Sequence, residues 1–420
     1  MKIKFTNAVI VTGNENFDIV YGELVTNGKE IEYVGPKYTN KCDKVIDAKG
    51  GVLMAGFVNA HCHSAMTIFK GLGEDCLFED WWVKHMKPLE NQFKDGEYYK
   101  ACMLAFAEMI KNGVTTVVDL YMHPNETAKA LKDAGLRGLV GVGAIRNDMP
   151  ADEKEIEAQM ESVKKENPDC GFVVYGHSTY SCDENQFAEL LKVCKKHNLP
   201  FTTHASETLY EVGECVKQNE KTPVELLESY GMFDIKCVLA HGVHVEKEEM
   251  EILKNYDVSI ASNPCSNLKL GSGIAPIYSY LKNGINVCLG TDGSASNNAF
   301  DMFREMYLLS TLQKGIMHNA MAVSATDAIK SATINGAKAF GLNKIGVLQK
   351  GYFADIILLD GINLKPLNNV CANIVYSANP SNVKLTMVNG EILYENGKFT
   401  NLNIEKIVSD AQNIINSISK

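Results

Sequence analysis

The chain has 420 residues, enough to bury roughly three quarters of its unfolded surface, so core size is no constraint. Its net charge of −10 argues against nucleic acid or an anionic membrane as a partner, and no apolar run approaches the roughly 20 residues that span a bilayer. The composition, 45% apolar and 22% charged, is that of a soluble globular protein. With no signal-peptide pattern and no C-x-x-C pair among twelve cysteines, a reducing, cytoplasmic location is expected.

Residues 1 to about 55 read as short strands, Lys2–Thr12, Ile19–Thr26 and Ile31–Val34, punctuated by Asn27-Gly28 and Gly35-Pro36. An apolar run from Val52 to Val58 reads as one buried strand and leads into Asn59-Ala60-His61-Cys62-His63. Side chains alternate along a strand, so His61 and His63 share a face and Cys62 points the other way.

The middle of the chain alternates strand and helix. Strands are expected near 52–60, 115–119, 138–144, 172–176, 200–204, 236–240, 257–262 and 285–290. Helical patterns fill the gaps, among them Tyr99–Asn112, Asp183–His197, Glu207–Tyr230 and Ile274–Asn283. Eight such units predict a (β/α)8 barrel of the TIM type. A doubly wound open sheet would put a Gly-rich phosphate loop after the first strand, where His61-Cys62-His63 stands.

Strand texture returns at Ala354–Asp360. Val383–Val388, Asn389-Gly390 and Glu391–Tyr394 read as a hairpin. The expected organisation is a small β-sandwich built from residues 1–54 and 346–420 around a catalytic barrel over 55–345. The last segment, Asn403–Lys420, has isoleucines at helical spacing and should pack on the body or on a neighbouring subunit.

The C-terminal ends of barrel strands converge on one mouth. Read in order, those ends carry His61 and His63, Asp119, Arg146, His177, His204, His241, Asn263 and Asp292. Four of the eight end in histidine, from ten histidines in the chain. His61, His63, His204 and Asp292 form a ligand set for one Zn²⁺, with Fe²⁺ as the second choice and one position left for water. The fourth strand, Val173-Val174-Tyr175-Gly176-His177, offers no lysine to bridge a second ion, so one ion per subunit is expected. Glu207, three residues past His204, is placed to act as general base and then general acid. His241 is placed to hydrogen-bond the attacking oxygen, and Asp292 is both ligand and catalytic group. His244 lies past its strand end and is read as structural.

These motifs resemble the amidohydrolase superfamily, in its cytosine-deaminase-like and chlorohydrolase-like branch, and within it the 5-methylthioadenosine/S-adenosylhomocysteine deaminases. The matching stretches are Gly56–His63, His204-Ala205-Ser206-Glu207-Thr208, Asn263–Leu270 and Gly290–Asn298. The resemblance implies metal-dependent hydrolytic deamination of 5′-substituted adenosines to the inosine analogue and ammonia. It implies that Glu90 holds both ribose hydroxyls, that His177 and Glu207 contact the nucleoside, that Trp82 lines the pocket and that Ser296 lies near the base. Arg146 is the one arginine in the third loop for a substrate carboxylate; a second, found in some relatives, is absent. A small-molecule nucleoside and a homo-oligomer are the expected partners. Guanine deamination or triazine dehalogenation would use the same metal residues, and a non-catalytic scaffold would have lost them.

Overall fold

The computed structural model describes residues 1–77, 80–144 and 152–418. Among them, seventeen strands fall into two sheets. The first five are β1 (Lys2–Val11), β2 (Ile19–Asn27), β3 (Glu30–Gly35), β4 (Lys44–Asp47) and β5 (Val52–Ala55). The next eight are β6 (Phe57–Cys62), β7 (Val114–Asp119), β8 (Arg137–Ala144), β9 (Gly171–Ser178), β10 (Phe201–Ala205), β11 (Cys237–His241), β12 (Ser259–Ser262) and β13 (Val287–Leu289). The last four are β14 (Ile356–Leu359), β15 (Val383–Val388), β16 (Glu391–Glu395) and β17 (Lys398–Phe399).

The strands β6 to β13 pair with their sequence neighbours, all parallel, with helices between them. This is the expected (β/α)8 barrel. Its seam between first and last strands is tied by Thr291 N and Asp292 N donating to His61 O at 3.1 and 3.0 Å. The Asn59 side chain adds two bonds to Thr291, donating to Oγ1 at 2.7 Å and accepting from N at 3.0 Å. Strand eight comes this close because residue 290 is glycine: a Cβ there would lie 2.7 Å from His61 Cβ.

Both termini meet in the second sheet, of order β17-β16-β15-β14-β5-β1-β2-β3 with β4 beside β1. It encloses an apolar core of its own, including Ile3, Phe5, Leu24, Leu53, Ile356 and Met387.

The apolar run Val52–Val58 is not one strand. β5 pairs with β1 and β14 in the terminal sheet, and β6 starts the barrel at Phe57. Gly56 is the crossing point, and a Cβ there would lie 2.1 Å from Thr115 Cγ2. Both halves are fully buried, so hydrophobicity runs through the junction without a break. The helix expected over Glu207–Tyr230 is also two, Leu209–Asn219 and Pro223–Ser229. Glu220 closes the first in a left-handed conformation, and Thr222 caps the second, with Pro223 in its first turn. The C-terminal helix Ile404–Ile418 lays Ile407, Ala411, Ile414 and Ile418 against the helix Glu97–Lys111 of the barrel.

Candidate metal centre and active site

The parallel pairing puts the ends of β6, β10 and β13 around one point. His61, His63, His204 and Asp292 each offer a ligand atom there, and these atoms lie within 4.8 Å of one another. His63 Nε2 is 3.3 Å from His204 Nε2 and 3.3 Å from Asp292 Oδ1. The rings of His61 and His63 meet edge to face, with centroids 4.9 Å apart.

The tautomers are set from behind. His63 Nδ1–H donates to Leu120 O, and His204 Nδ1–H donates to His177 O at 2.7 Å, which leaves both Nε2 lone pairs facing the centre. His61 is fully buried, and among the described residues neither ring nitrogen makes a hydrogen bond of ordinary length; Nε2 lies 3.5 Å from Asp292 Oδ1. A buried imidazole without partners is costly unless something else binds it. Burial pushes His61 down to about 4 and His204 well below the usual histidine range. Burial also pushes Asp292 up, but His61, His63 and His241 outweigh it and hold the carboxyl well below its ordinary range. Neutral imidazoles beside an ionised carboxylate are the protonation states that a divalent cation requires. The donor set, the orphaned His61 nitrogens and the convergence all fit such an ion.

Glu207 lies on the short link between β10 and the helix Leu209–Asn219, 6% exposed, with Oε1 at 3.8 Å from His241 Nδ1. Burial, then the charge of Asp292, pushes its carboxyl up to about 8. Its backbone N–H donates to Glu211 Oε2 at 2.7 Å. His241 ends β11 in a left-handed conformation, φ 73°, and its Nδ1–H donates to Asn267 Oδ1 at 2.7 Å. Asp292 is also left-handed, φ 60°. Such conformations in non-glycine residues cost on the order of 1–3 kcal/mol each and cluster at functional sites.

The cleft over the centre has two lobes that share His63, Met66, Trp82 and His177. His204, Glu207, His241 and Asp292 line one lobe. Glu90 and Tyr121 line the other. Trp82, on the π-helical turn Trp81–Met86, stacks on the His177 ring at 6.0 Å and 26°. Glu90 is only 3% exposed, and the Tyr121 hydroxyl donates to its Oε1. Ser296 lines the first lobe, but its hydroxyl bonds Asp292 Oδ2 and Gly293 O. His244 donates to Ser272 O at 2.8 Å, outside the cluster. Asp119, at the end of β7, accepts from Ser64 N behind His63. Arg146 lies outside the described residues.

Four partners were not assigned from the sequence: Tyr121, Glu211, Ser266 and Asn267. Ser266 and Asn267 fall inside the stretch Asn263–Leu270, where the motif itself was the available signal. Tyr121 and Glu211 carried none.

The comparisons agree with this geometry. The profile of the amidohydrolase family matches residues 52–393. A 5-methylthioadenosine/S-adenosylhomocysteine deaminase of Pyrococcus furiosus is 39% identical over 97% of this chain and 99% of its own. A 5′-deoxyadenosine deaminase of Methanosphaera stadtmanae is 41% identical over 88% of each. Among solved structures, a zinc-bound adenosine deaminase from Xanthomonas campestris superposes with a TM-score of 0.94 at 26% identity, covering 100% of this chain and 98% of that one. By the matching profile and these relatives, the chain belongs to the amidohydrolase family.

Proposed function

We propose that the protein is a zinc-dependent deaminase of 5′-substituted adenosines, releasing ammonia and the inosine analogue, with one ion per chain on His61, His63, His204 and Asp292. Fe²⁺ suits the same donors as second choice. The ion, when bound, supplies a nucleophilic water at neutral pH, whose pKa it lowers to about 7. The chain's own groups do the rest. Glu207, whose ionised form a bound cation would favour, takes a proton from the attacking water and hands it to the leaving nitrogen. His241, with Nδ1 engaged by Asn267, offers Nε2 to the attacking oxygen. Trp82 and His177 flank the nucleoside where the two lobes join.

The observation that carries the substrate class is the buried Glu90–Tyr121 pair in the lobe that His63 shares with the other ligands. A ribose presents two adjacent donors, and an ionised carboxylate accepts with two oxygens. A free base has nothing to place there. The rest of that lobe is largely apolar, including Met66, Leu120 and Met122, which suits uncharged 5′ groups (deoxy, methylthio) at least as well as a homocysteine tail.

A cytoplasmic location suits twelve cysteines of which none is paired in a disulfide. No helix of the described residues is long and apolar enough to cross a membrane. Exposed Leu77, Val83, Leu209 and Tyr210, on the segments that follow β6 and β10, suit burial against a second copy.

The test is ammonia release from adenosine, 5′-deoxyadenosine, methylthioadenosine, S-adenosylhomocysteine, guanine and cytosine. Nucleosides should lead. Glu90→Ala should lower their kcat/KM at least about tenfold, since each charge-assisted bond is worth roughly 1.5–3 kcal/mol. Guanine outperforming every nucleoside, or a silent Glu90→Ala, would overturn the substrate class and leave the metal chemistry standing.

A further inference from the structure

The two oxygens of Asp292 face different surroundings. Oδ1 is turned to the imidazoles, 3.5 Å from His61 Nε2 and 3.3 Å from His63 Nε2. Oδ2 accepts from Ser266 Oγ at 2.5 Å and from Ser296 Oγ at 2.8 Å. The serines come from separate segments, Ser266 from the helix Pro264–Lys269 after β12 and Ser296 from the short helical turn Ser294–Asn297 after β13. Both are buried, at 0% and 2% exposure. Hydroxyl donors on an ionised oxygen make the stronger kind of hydrogen bond.

The geometry points to Ser266 and Ser296 as positioning residues of the metal centre, which hold Oδ2 so that Asp292 presents Oδ1 alone to a divalent cation. This rests on the metal reading of the cluster and is independent of the substrate. A carboxylate free to turn can bind a cation through both oxygens. Held by one oxygen, it leaves a coordination position open, as a catalytic zinc site needs. The serines are not equivalent. The Ser296 hydroxyl is also 2.9 Å from Gly293 O, so its single proton is divided between two acceptors. Ser266 makes the shorter bond and should carry the larger share.

The full-length chain is stripped of metal with a chelator, as wild type, Ser266→Ala, Ser296→Ala and the double variant. Zinc affinity is measured by competition with a chromophoric chelator, and the visible band of the cobalt(II)-loaded protein is recorded. The double variant should lose roughly 10–100-fold in zinc affinity, most of it already lost in Ser266→Ala. Its cobalt band should weaken as the second carboxylate oxygen joins and coordination number rises. If the double variant does not fold, the single variants, each lacking one oxygen atom, decide by the same two readouts. Zinc affinity within about twofold of wild type, or an unchanged cobalt band, overturns the inference. Wild-type protein that takes up neither metal would sink the metal reading and this inference with it.

Discussion

In the terminal sheet, the buried positions are Ile3, Phe5, Leu24, Leu53 and Ile356, and charged groups lie outside as ion pairs such as Lys2–Glu32. At the barrel mouth, positions just as buried are His61, Glu90, His204, Glu207, His241 and Asp292. Ser206, His241 and Asp292 there add left-handed backbone. One region packs apolar surface, with left-handed residues such as Asn7 and Asn389 only at a bulge and a turn. The other gathers polar groups whose burial is favourable only when each has a partner or a ligand. The site's polar, strained mouth is tolerable because apolar packing elsewhere supplies the stability.

The largest expected effect breaks the mouth alone. Asp292→Ala should abolish both metal uptake and turnover while far-UV circular dichroism stays that of the folded barrel. Elemental analysis of the wild type should find one ion per chain, and two would end the mononuclear assignment.

Next, Glu207→Gln should keep the ion and lose on the order of 10²–10⁴ in kcat. Full activity in that variant would remove Glu207 from the proton path.

The sheet answers in a different measurement. Leu53→Ala removes a fully buried side chain from the terminal core and should cost about 2–5 kcal/mol of stability in denaturant titrations. Its kcat/KM should match wild type wherever both are folded. A change in kcat/KM would mean that the two regions are coupled.

The smallest effect concerns Glu305, fully buried behind the mouth, accepting from Cys265 N at 2.9 Å and Asn297 Nδ2 at 2.7 Å. Burial pushes its carboxyl from 4.5 up to about 8. Between those values the folded protein keeps a proton that the unfolded chain has released, so stability falls as pH rises through the window. Glu305→Gln should flatten that fall by at most about 1.4 kcal/mol per pH unit. Glu211, raised to about 7, acts in the same sense, so part of the slope should remain. An unchanged slope in denaturant midpoints taken from pH 5 to 8 would show that Glu305 is ionised throughout.

The cluster of His61, His63, His204 and Asp292 was legible because two regular rules act on it. Strand alternation puts His61 and His63 on one face, and the barrel carries every strand end to one mouth. Neither rule needs to know how side chains pack. The crossing at Gly56 was not legible, because both strands it separates are buried along their whole length and the run Val52–Val58 has no polar interruption. The Thr222-Pro223 start of a second helix was written in the chain, but helical periodicity continues across it.

By itself, then, the sequence determined how many β-α units there are and which three histidines and one aspartate come at or just past the strand ends as a candidate donor set. Only the tertiary structure decided what stands behind those donors. Tyr121 meets Glu90 across 31 positions of chain, Ser266 meets Asp292 across 26, and Asn267 meets His241 across 26. Such partners come from different strand–helix units, and no local periodicity relates them. Their distances are set by the pairing and closure of the barrel, so a hydroxyl or amide reads as unassigned until the strands are in register.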